Sequence, residues 1–243
     1  MSPAGAIRGL FVTGTDTGVG KTVATAVLAV SLREHGVNTG VMKPVETGIS
    51  DRTRSDAEWL MSVAPSDDPP SIVAPYRLRA SAAPVIAAAA EDIAIDLHRI
   101  LSAYEALAAR HECLLIEGVG GAMVPLSADI LVADLIHHLR LPVLIVARSG
   151  LGSINHTLLT VECLERRGIP ILGILFNNPF APPANPDTHH TTRTILRWTG
   201  LRSFGELPYA DGLPQTWDDE RIRLTARVDI QGLLEALGLR KVA

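Results

Sequence analysis

The segment Gly14-Thr15-Asp16-Thr17-Gly18-Val19-Gly20-Lys21-Thr22 constrains the fold of this chain more than any other stretch, because of what flanks it. Ile7 to Thr13 is a short apolar run of strand character, and Lys21 to His35 carries a helical pattern closed by Gly36. A glycine-rich turn between a strand and a helix can aim several backbone N–H groups at a phosphate, reinforced by the helix N-terminus. In that reading the stretch from Gly18 through Val19 and Gly20 to Val23 holds a nucleotide. Lys21 neutralises its outer phosphates, and the Thr22 hydroxyl ligates Mg²⁺. The general pattern asks for glycine six residues before the lysine, where this chain has Thr15. Gly14 stands one position earlier, so the loop is one residue longer.

The alternation continues along the chain. Thr39 to Met42 reads as a strand stopping at Lys43-Pro44, Leu97 to Ala109 as a helix, and Leu114 to Ile116 as a buried strand ending at Glu117. A helix over Ile130 to Leu139, a strand over Pro142 to Ala147 and a helix over Ile154 to Arg166 follow. Then come a strand over Ile171 to Phe176 and helices around Thr191 to Trp198 and Ile230 to Leu237. The Ala87 to Ala90 run reads as helix, and Pro179 to Pro186 as a proline-rich loop. Strands alternating with helices argue for an α/β fold: a doubly wound, mostly parallel sheet with helices on both faces. Composition suits that core, at 47% hydrophobic but only 4% aromatic, which leaves Ala, Val, Leu and Ile to fill it. The length fits one domain over residues 1–243. In such sheets ligands bind beyond the carboxyl ends of the strands. Thr15, Lys43, Glu117 and Asn177 each directly follow a predicted strand end, so one edge of the sheet should gather them into one site.

Other classes are excluded by what is missing. The net charge is −4 with no basic tail or stripe, which argues against nucleic acid; Arg52/Arg54 and Arg166/Arg167 read as solvated surface. No apolar run approaches the ~18 residues of a membrane span, and the N-terminus carries no secretory pattern, so a cytoplasmic protein is expected. Cys113 and Cys163 read as small core residues. His137/His138 and His189/His190 have no ligand-spaced partners, so no transition-metal site is expected. The basic residues are more telling. Lys21, Lys43 and Lys241 are the only lysines among 22 basic residues, and the other nineteen are arginine. The two internal lysines each sit beside a turn, where a compact ammonium fits close to a reacting anion better than a planar guanidinium.

A metal opposite Thr22 needs a second ligand, and Glu117, followed by Gly118-Val119-Gly120-Gly121, supplies a carboxylate near a strand end. That glycine run is not a dinucleotide fingerprint, since its spacing is incomplete. Asp56 opens a helical run to Met61 and, taken alone, reads as a helix-start residue. Asn177-Asn178-Pro179, taken alone, reads as a turn.

Together, Thr13 to Thr22, Lys43-Pro-Val-Glu-Thr-Gly48, Ser55-Asp56-Ala57, Glu117-Gly-Val-Gly-Gly121 and Leu151-Gly-Ser-Ile-Asn-His156 resemble the dethiobiotin synthetases. The motifs fall in that family's order from about residue 10 to 210, and the longer phosphate loop is typical of it. The resemblance implies conversion of 7,8-diaminononanoate, CO2 and ATP into dethiobiotin, ADP and phosphate in biotin synthesis. It implies Lys21 and Lys43 as catalytic residues, with Thr22, Asp56 and Glu117 around Mg²⁺. Gly118, Val119 and Gly120 would border the nucleotide. Asn177, Asn178 and Glu206-Leu207-Pro208 would lie against the adenine. Thr47, in place of a frequent serine, would touch the substrate, as would Gly152 and Asn155 across a homodimer.

The implied chemistry needs positioned positive charge and no enzyme nucleophile, so the missing Ser/His/Asp triad does not count against it. His156, at a helix start, reads as a capping or packing residue and stays outside the catalytic set. The main alternative is a switch-type or partitioning ATPase of the same fold. Those proteins typically carry a further lysine early in the loop, where this chain has Asp16. An amidotransferase-linked ligase would need a glutaminase domain, for which the chain is too short.

Overall fold

The computed structural model describes residues 8–50, 54–181 and 188–239. Ile7, Arg52, Lys241 and positions 182–187 of the proline-rich loop lie outside them. The chain begins with β1 (Arg8–Gly14), α1 (Lys21–Glu34), β2 (Thr39–Met42), β3 (Val45–Thr47), α2 (Asp56–Val63), α3 (Pro70–Val73) and β4 (Tyr76–Leu78). It continues through α4 (Pro84–Ala90), α5 (Leu97–Ala108), β5 (Cys113–Gly121), α6 (Val132–Leu139), β6 (Val143–Ala147) and α7 (Ser153–Arg166). Then follow β7 (Ile171–Asn177), α8 (Thr188–Thr199), β8 (Ser203–Leu207), α9 (Trp217–Thr225) and α10 (Ile230–Ala236).

Six strands form one sheet in the order β2-β5-β1-β6-β7-β8, and every neighbouring pair is parallel. This is the expected doubly wound sheet. Its central strands are mostly apolar because both faces are covered: all five residues of β6 are apolar and buried. Cys113, at the start of β5, belongs to that core, and burial pushes its thiol up to about 12.

Three differences from the sequence reading bear on the site. Glu117 does not follow β5 but lies inside it, because the strand runs on to Gly121. The pairing with β1 shifts at a bulge, after which Gly14 sits opposite Gly121. A Cβ on Gly121 would lie 3.2 Å from the Gly14 carbonyl oxygen, so glycine eases the close approach of β5 to the start of the phosphate loop. Asn177 likewise is the last residue of β7 and not the first beyond it. The third difference is a separate parallel pair, β3 with β4, which carries Thr47 at its end. β8 at the sheet edge was equally unexpected; with Ser203, Gly205 and Glu206 it presents only Phe204 and Leu207 to the core.

Candidate active site

The phosphate loop leaves β1 at Gly14 and enters α1 at Lys21. Gly18 and Gly20 hold φ of 72° and 88°, the left-handed region where a side chain is strained. Gly20 is fixed for a second reason. Its missing Cβ would stand 2.0 Å from Asn177 Nδ2, and that nitrogen donates to the Val19 carbonyl at 2.9 Å. The end of β7 thereby pins the loop. Lys21 Nζ curls back to donate to the Asp16 carbonyl at 3.0 Å, passing within 3.0 Å of where a Gly14 Cβ would be. A side chain at 14 would thus crowd Lys21 Nζ, Val19 and the Asp16 carbonyl. Burial lowers the Lys21 ammonium to about 8, with Glu117 offsetting part of that and the Lys43 charge adding to it.

Lys43 leaves the end of β2 beside Pro44, which biases it to extended backbone. Its Nζ donates to Glu117 Oε1 at 2.5 Å and to Asp56 Oδ2 at 2.6 Å. Burial alone would lower the Lys43 pKa, but the two carboxylates outweigh it and hold Lys43 above the ordinary lysine range. For Asp56, burial would raise the carboxyl, yet Lys43 and a Thr22 hydrogen bond bring it below the ordinary value. Glu117 is 0% exposed. Its Oε1 also accepts from Thr22 Oγ1 at 2.8 Å, whereas its Oε2 is buried with no partner.

That orphaned oxygen tests the fit of a metal. A buried carboxylate oxygen without a donor is costly unless something cationic meets it. Thr22, Asp56 and Glu117 offer hard oxygen ligands, the type Mg²⁺ takes when phosphates and water complete its shell. Among the described residues no group of three or more His, Cys, Asp or Glu is placed to hold a metal by itself. The residues therefore fit a cation shared with a phosphate ligand.

A cavity of about 400 Å³ joins these groups; Lys21, Lys43, Thr47, Asp56, Val119 and Gly120 line it, as do Gly18, Gly20, Thr22, Val23 and Glu117. Gly118 stays outside the lining, its α-carbon closed against Phe11, whose ring would lie 2.9 Å from an added Cβ. On the far side, Asn177 pairs with Leu207 across β7 and β8. Asn178 accepts a hydrogen bond from Ser149 and donates to Glu206 Oε1 at 3.0 Å. Asn177, Asn178, Glu206, Leu207 and Pro208 are thus neighbours at two strand ends, where the residues alone suggested only a turn.

Gly152 and Asn155 do not reach this cavity. Gly152 caps α7 with φ 85°, and Asn155 lies in the first turn of that helix. The same turn brings His156 Nδ1 to 3.9 Å from Asp16 Oδ2, beside a second cavity of about 400 Å³. Conversely, Glu46, Arg54, Trp59, Leu213 and Pro214 line the main cavity although none was expected as a site residue, and Arg54 read as solvated surface. Only Glu46 carried a signal, as an acidic residue on a short buried segment beginning at Lys43.

A parallel sheet with a phosphate loop, paired with a carboxylate-held lysine and a buried carboxylate oxygen lacking a donor, defines a nucleotide-binding protein of the P-loop class. Solved structures support the fold. The chain superposes on the MinC:MinD cell division complex of Aquifex aeolicus with a TM-score of 0.59, 15% identity and coverage of 95% of this chain and 96% of that one. A ParA family ATPase from Chlorobium tepidum gives 0.53 at 14% identity, covering 98% and 95%. Sequence similarity is narrower. A family described as AAA domain matches residues 8–216. The ATP-dependent dethiobiotin synthetase BioD of Anaeromyxobacter dehalogenans is 45% identical over 84% of this chain and 91% of its own. Those of Thermodesulfovibrio yellowstonii (36%, covering 93% and 98%) and Bacillus subtilis strain 168 (39%, covering 83% and 87%) are similar as well. The chain belongs to the ATP-dependent dethiobiotin synthetase family, whose members are ligases. The cell division complex and the ParA family ATPase share only its fold, at 14–15% identity, whereas the synthetases reach 36–45%, so the switch-type or partitioning alternative is set aside.

Proposed function

We propose that the chain carboxylates 7,8-diaminononanoate with CO2 and closes the ureido ring at the expense of ATP, acting as a cytoplasmic homodimer with Mg²⁺. The observation that carries this reading is Lys43, held between Glu117 and Asp56 in the same cavity as the phosphate loop. One amine of the substrate takes up CO2 and releases a proton, giving a carbamate. A carbamate oxygen attacks the γ-phosphorus, ADP leaves, and the mixed anhydride of carbamate and phosphate remains. The second amine attacks its carbonyl carbon, phosphate is expelled, and the ring closes.

Each step gathers negative charge, and the chain's task is to position and neutralise it. Lys21 and the loop amides would hold the phosphates, and Lys43 would face the carbamate oxygen and the γ-phosphate. The Thr47 hydroxyl offers a hydrogen bond to the substrate. Mg²⁺, bound by Thr22, Asp56, Glu117 and the phosphates, would spread the charge of the transferred group. Asn177, Glu206, Leu207 and Pro208 would line the adenine, with Asn178 ordering Glu206. Gly152 and Asn155, remote from the cavity of their own chain, would serve the substrate bound to a second copy. Fully exposed Leu151 and half-exposed Met123 and Leu159 beside them support a face covered by that copy.

The deciding experiment measures phosphate release with ATP alone, with bicarbonate added, and with diamine and bicarbonate together, while mass spectrometry follows the cyclic urea. Release that depends on both co-substrates with stoichiometric product is expected. Equal hydrolysis without the diamine would remove the reading. Sedimentation velocity tests the dimer, which Leu151→Asp should weaken.

A further inference from the structure

Glu46, the middle residue of β3, is a carboxylate only 4% exposed that the reaction above leaves unused. One of its oxygens accepts from the Asp56 N–H at 2.5 Å and the other from the Ala57 N–H at 3.4 Å. These amides open α2 and have no acceptor within the helix. The other exposed amides of that turn are already served by a capping box: Ser55 N–H donates to Glu58 Oε2 at 3.1 Å, and Glu58 N–H to Ser55 Oγ at 3.2 Å. A helix start is ordinarily stabilised by one such cap. A second carboxylate, buried at a desolvation cost, is more than α2 needs in order to form.

What the additional carboxylate holds is the backbone of Asp56. The Asp56 side chain is 47% exposed and, on a frayed helix end, would be free to turn towards solvent. Instead it meets Lys43 at 2.6 Å. Lys43 and Glu46 lie on one short segment, so that segment grips Asp56 at two points, by charge at the carboxylate and by hydrogen bond at the main chain. Groups that orient a ligand without touching the metal commonly change metal affinity by about 10–100-fold.

We infer that Glu46 is a positioning residue: by clamping the first amides of α2 it fixes the Asp56 carboxylate at the site of the divalent cation and so sets the affinity for the metal–nucleotide complex. The inference rests on the metal role proposed above for Asp56. Glu46 borders the same cavity as Thr47, so direct contact with the diamine is the competing outcome.

Glu46→Ala and the near-isosteric Glu46→Gln, each in the full chain, separate these cases. Mn²⁺ binding is titrated by electron paramagnetic resonance with a non-hydrolysable ATP analogue, amide hydrogen exchange is read over residues 54–60 without metal, and KM for the diamine is measured. The expected result is Mn²⁺ affinity lower by about 10-fold or more in Glu46→Ala. Glu46→Gln, which keeps one acceptor oxygen, should fall between it and the wild type. Exchange at Asp56 and Ala57 should rise in both, with diamine KM unchanged. Mn²⁺ titrations that superimpose on wild type overturn the inference even if exchange rises. So does a raised diamine KM at unchanged metal affinity. If Glu46→Ala does not fold, Glu46→Gln decides by the same criteria. Failure of wild-type protein to bind Mn²⁺ with nucleotide would remove the metal reading itself, whereas wild-type binding with unaffected variants removes only the role of Glu46.

Discussion

Two polar clusters, each built round a buried carboxylate, occupy opposite ends of β2 and β5, and they are built on different rules. At the amino-terminal ends, Asp68 accepts from Ser66 Oγ at 2.6 Å and His111 Nε2 at 2.7 Å, and pairs with Arg110 Nε at 2.6 Å. His111 Nδ1 faces Asn38 Oδ1 at 2.9 Å, and Asn38 Nδ2 donates to the Arg110 carbonyl, also at 2.9 Å. The ring fills the place of a side chain on Gly40, where a Cβ would lie 2.4 Å from its Cδ2. Asp68 Oδ1 has no aligned hydrogen bond but faces the Arg110 cation, so both oxygens of this carboxylate meet a group of the protein itself. At the carboxyl ends, Lys43, Asp56, Glu117 and Thr22 are as tightly joined, but Glu117 Oε2 is left without a donor and Lys21 is held at a lowered pKa. A buried carboxylate whose two oxygens both face groups of the protein ties elements together, while one with an oxygen facing no donor or cation is ready for a ligand.

Substitutions at the two ends should therefore separate activity from stability. Lys21→Ala should produce the largest loss, on the order of 10³-fold in product formation, with thermal stability equal to or above wild type because a buried ammonium has been removed. Near-normal turnover with unchanged circular dichroism would refute the assignment of the phosphate site. Lys43→Arg should come next. Nζ sits 2.5 Å and 2.6 Å from two carboxylates, a gap shaped for an ammonium, and a guanidinium there must displace one of them. Displacement by ~1 Å can cost on the order of 10²-fold. Single-turnover product formation at saturating ATP tests this, and a variant retaining more than about a tenth of the wild-type rate would reduce Lys43 to a generic charge.

The opposite pattern is expected at the other end. Burial would raise the Asp68 carboxyl, but the Ser66 and His111 hydrogen bonds outweigh it and hold it below the ordinary value of 3.8. Its stabilisation is thus complete above that value and lost as pH falls through the lower, folded one. Asp68→Asn should cost about 2 kcal/mol at neutral pH, or ~6 °C in a chain of this size, while kcat and the Mg²⁺ dependence stay unchanged. A large fall in kcat at full stability would mean that the two clusters communicate and that the contrast between them is false.

What could be read from the sequence was local. The phosphate loop carries its own glycines, and Lys21 and Lys43 stand out because arginine is this chain's usual cation. The strand-end rule brought Lys43, Glu117 and Asn177 to one edge, although β5 runs four residues beyond Glu117. That error is physical: Gly118 to Gly121 resemble a turn until Gly14 supplies the ladder partner. Asp56 is a helix-start residue, as its position suggested, but Lys43 also makes it part of the cavity. The Asp68–His111 cluster and the edge-to-face contact of Trp59 with Trp217 at 5.6 Å depend on residues distant in sequence, and no local pattern announces them; the Glu46 clamp spans only ten residues, yet nothing in them shows that the carboxylate turns back onto α2.

The smallest expected effect tests the contrast without any mutation. In the nucleotide-free protein Lys21 titrates at about 8, chiefly because it is buried. In the unfolded chain it would titrate at 10.5, so between those values the unfolded state binds the proton and the native state does not. This group's contribution to stability therefore rises with pH across that window. A triphosphate placed beside Lys21 favours the charged ammonium, and binding must draw in a proton wherever the free lysine has lost it. At pH 8 the uptake should be about half a proton per site, approaching one by about pH 9.5. Asp68, which is ionised in both states across this range, contributes nothing. Calorimetric titration with a non-hydrolysable ATP analogue, repeated in buffers of different ionisation enthalpy, reads the number directly. Zero uptake at both pH values would show that Lys21 is already fully charged before the nucleotide arrives. The carboxyl-end cluster would then be as electrostatically closed as the one at the other end of the strands.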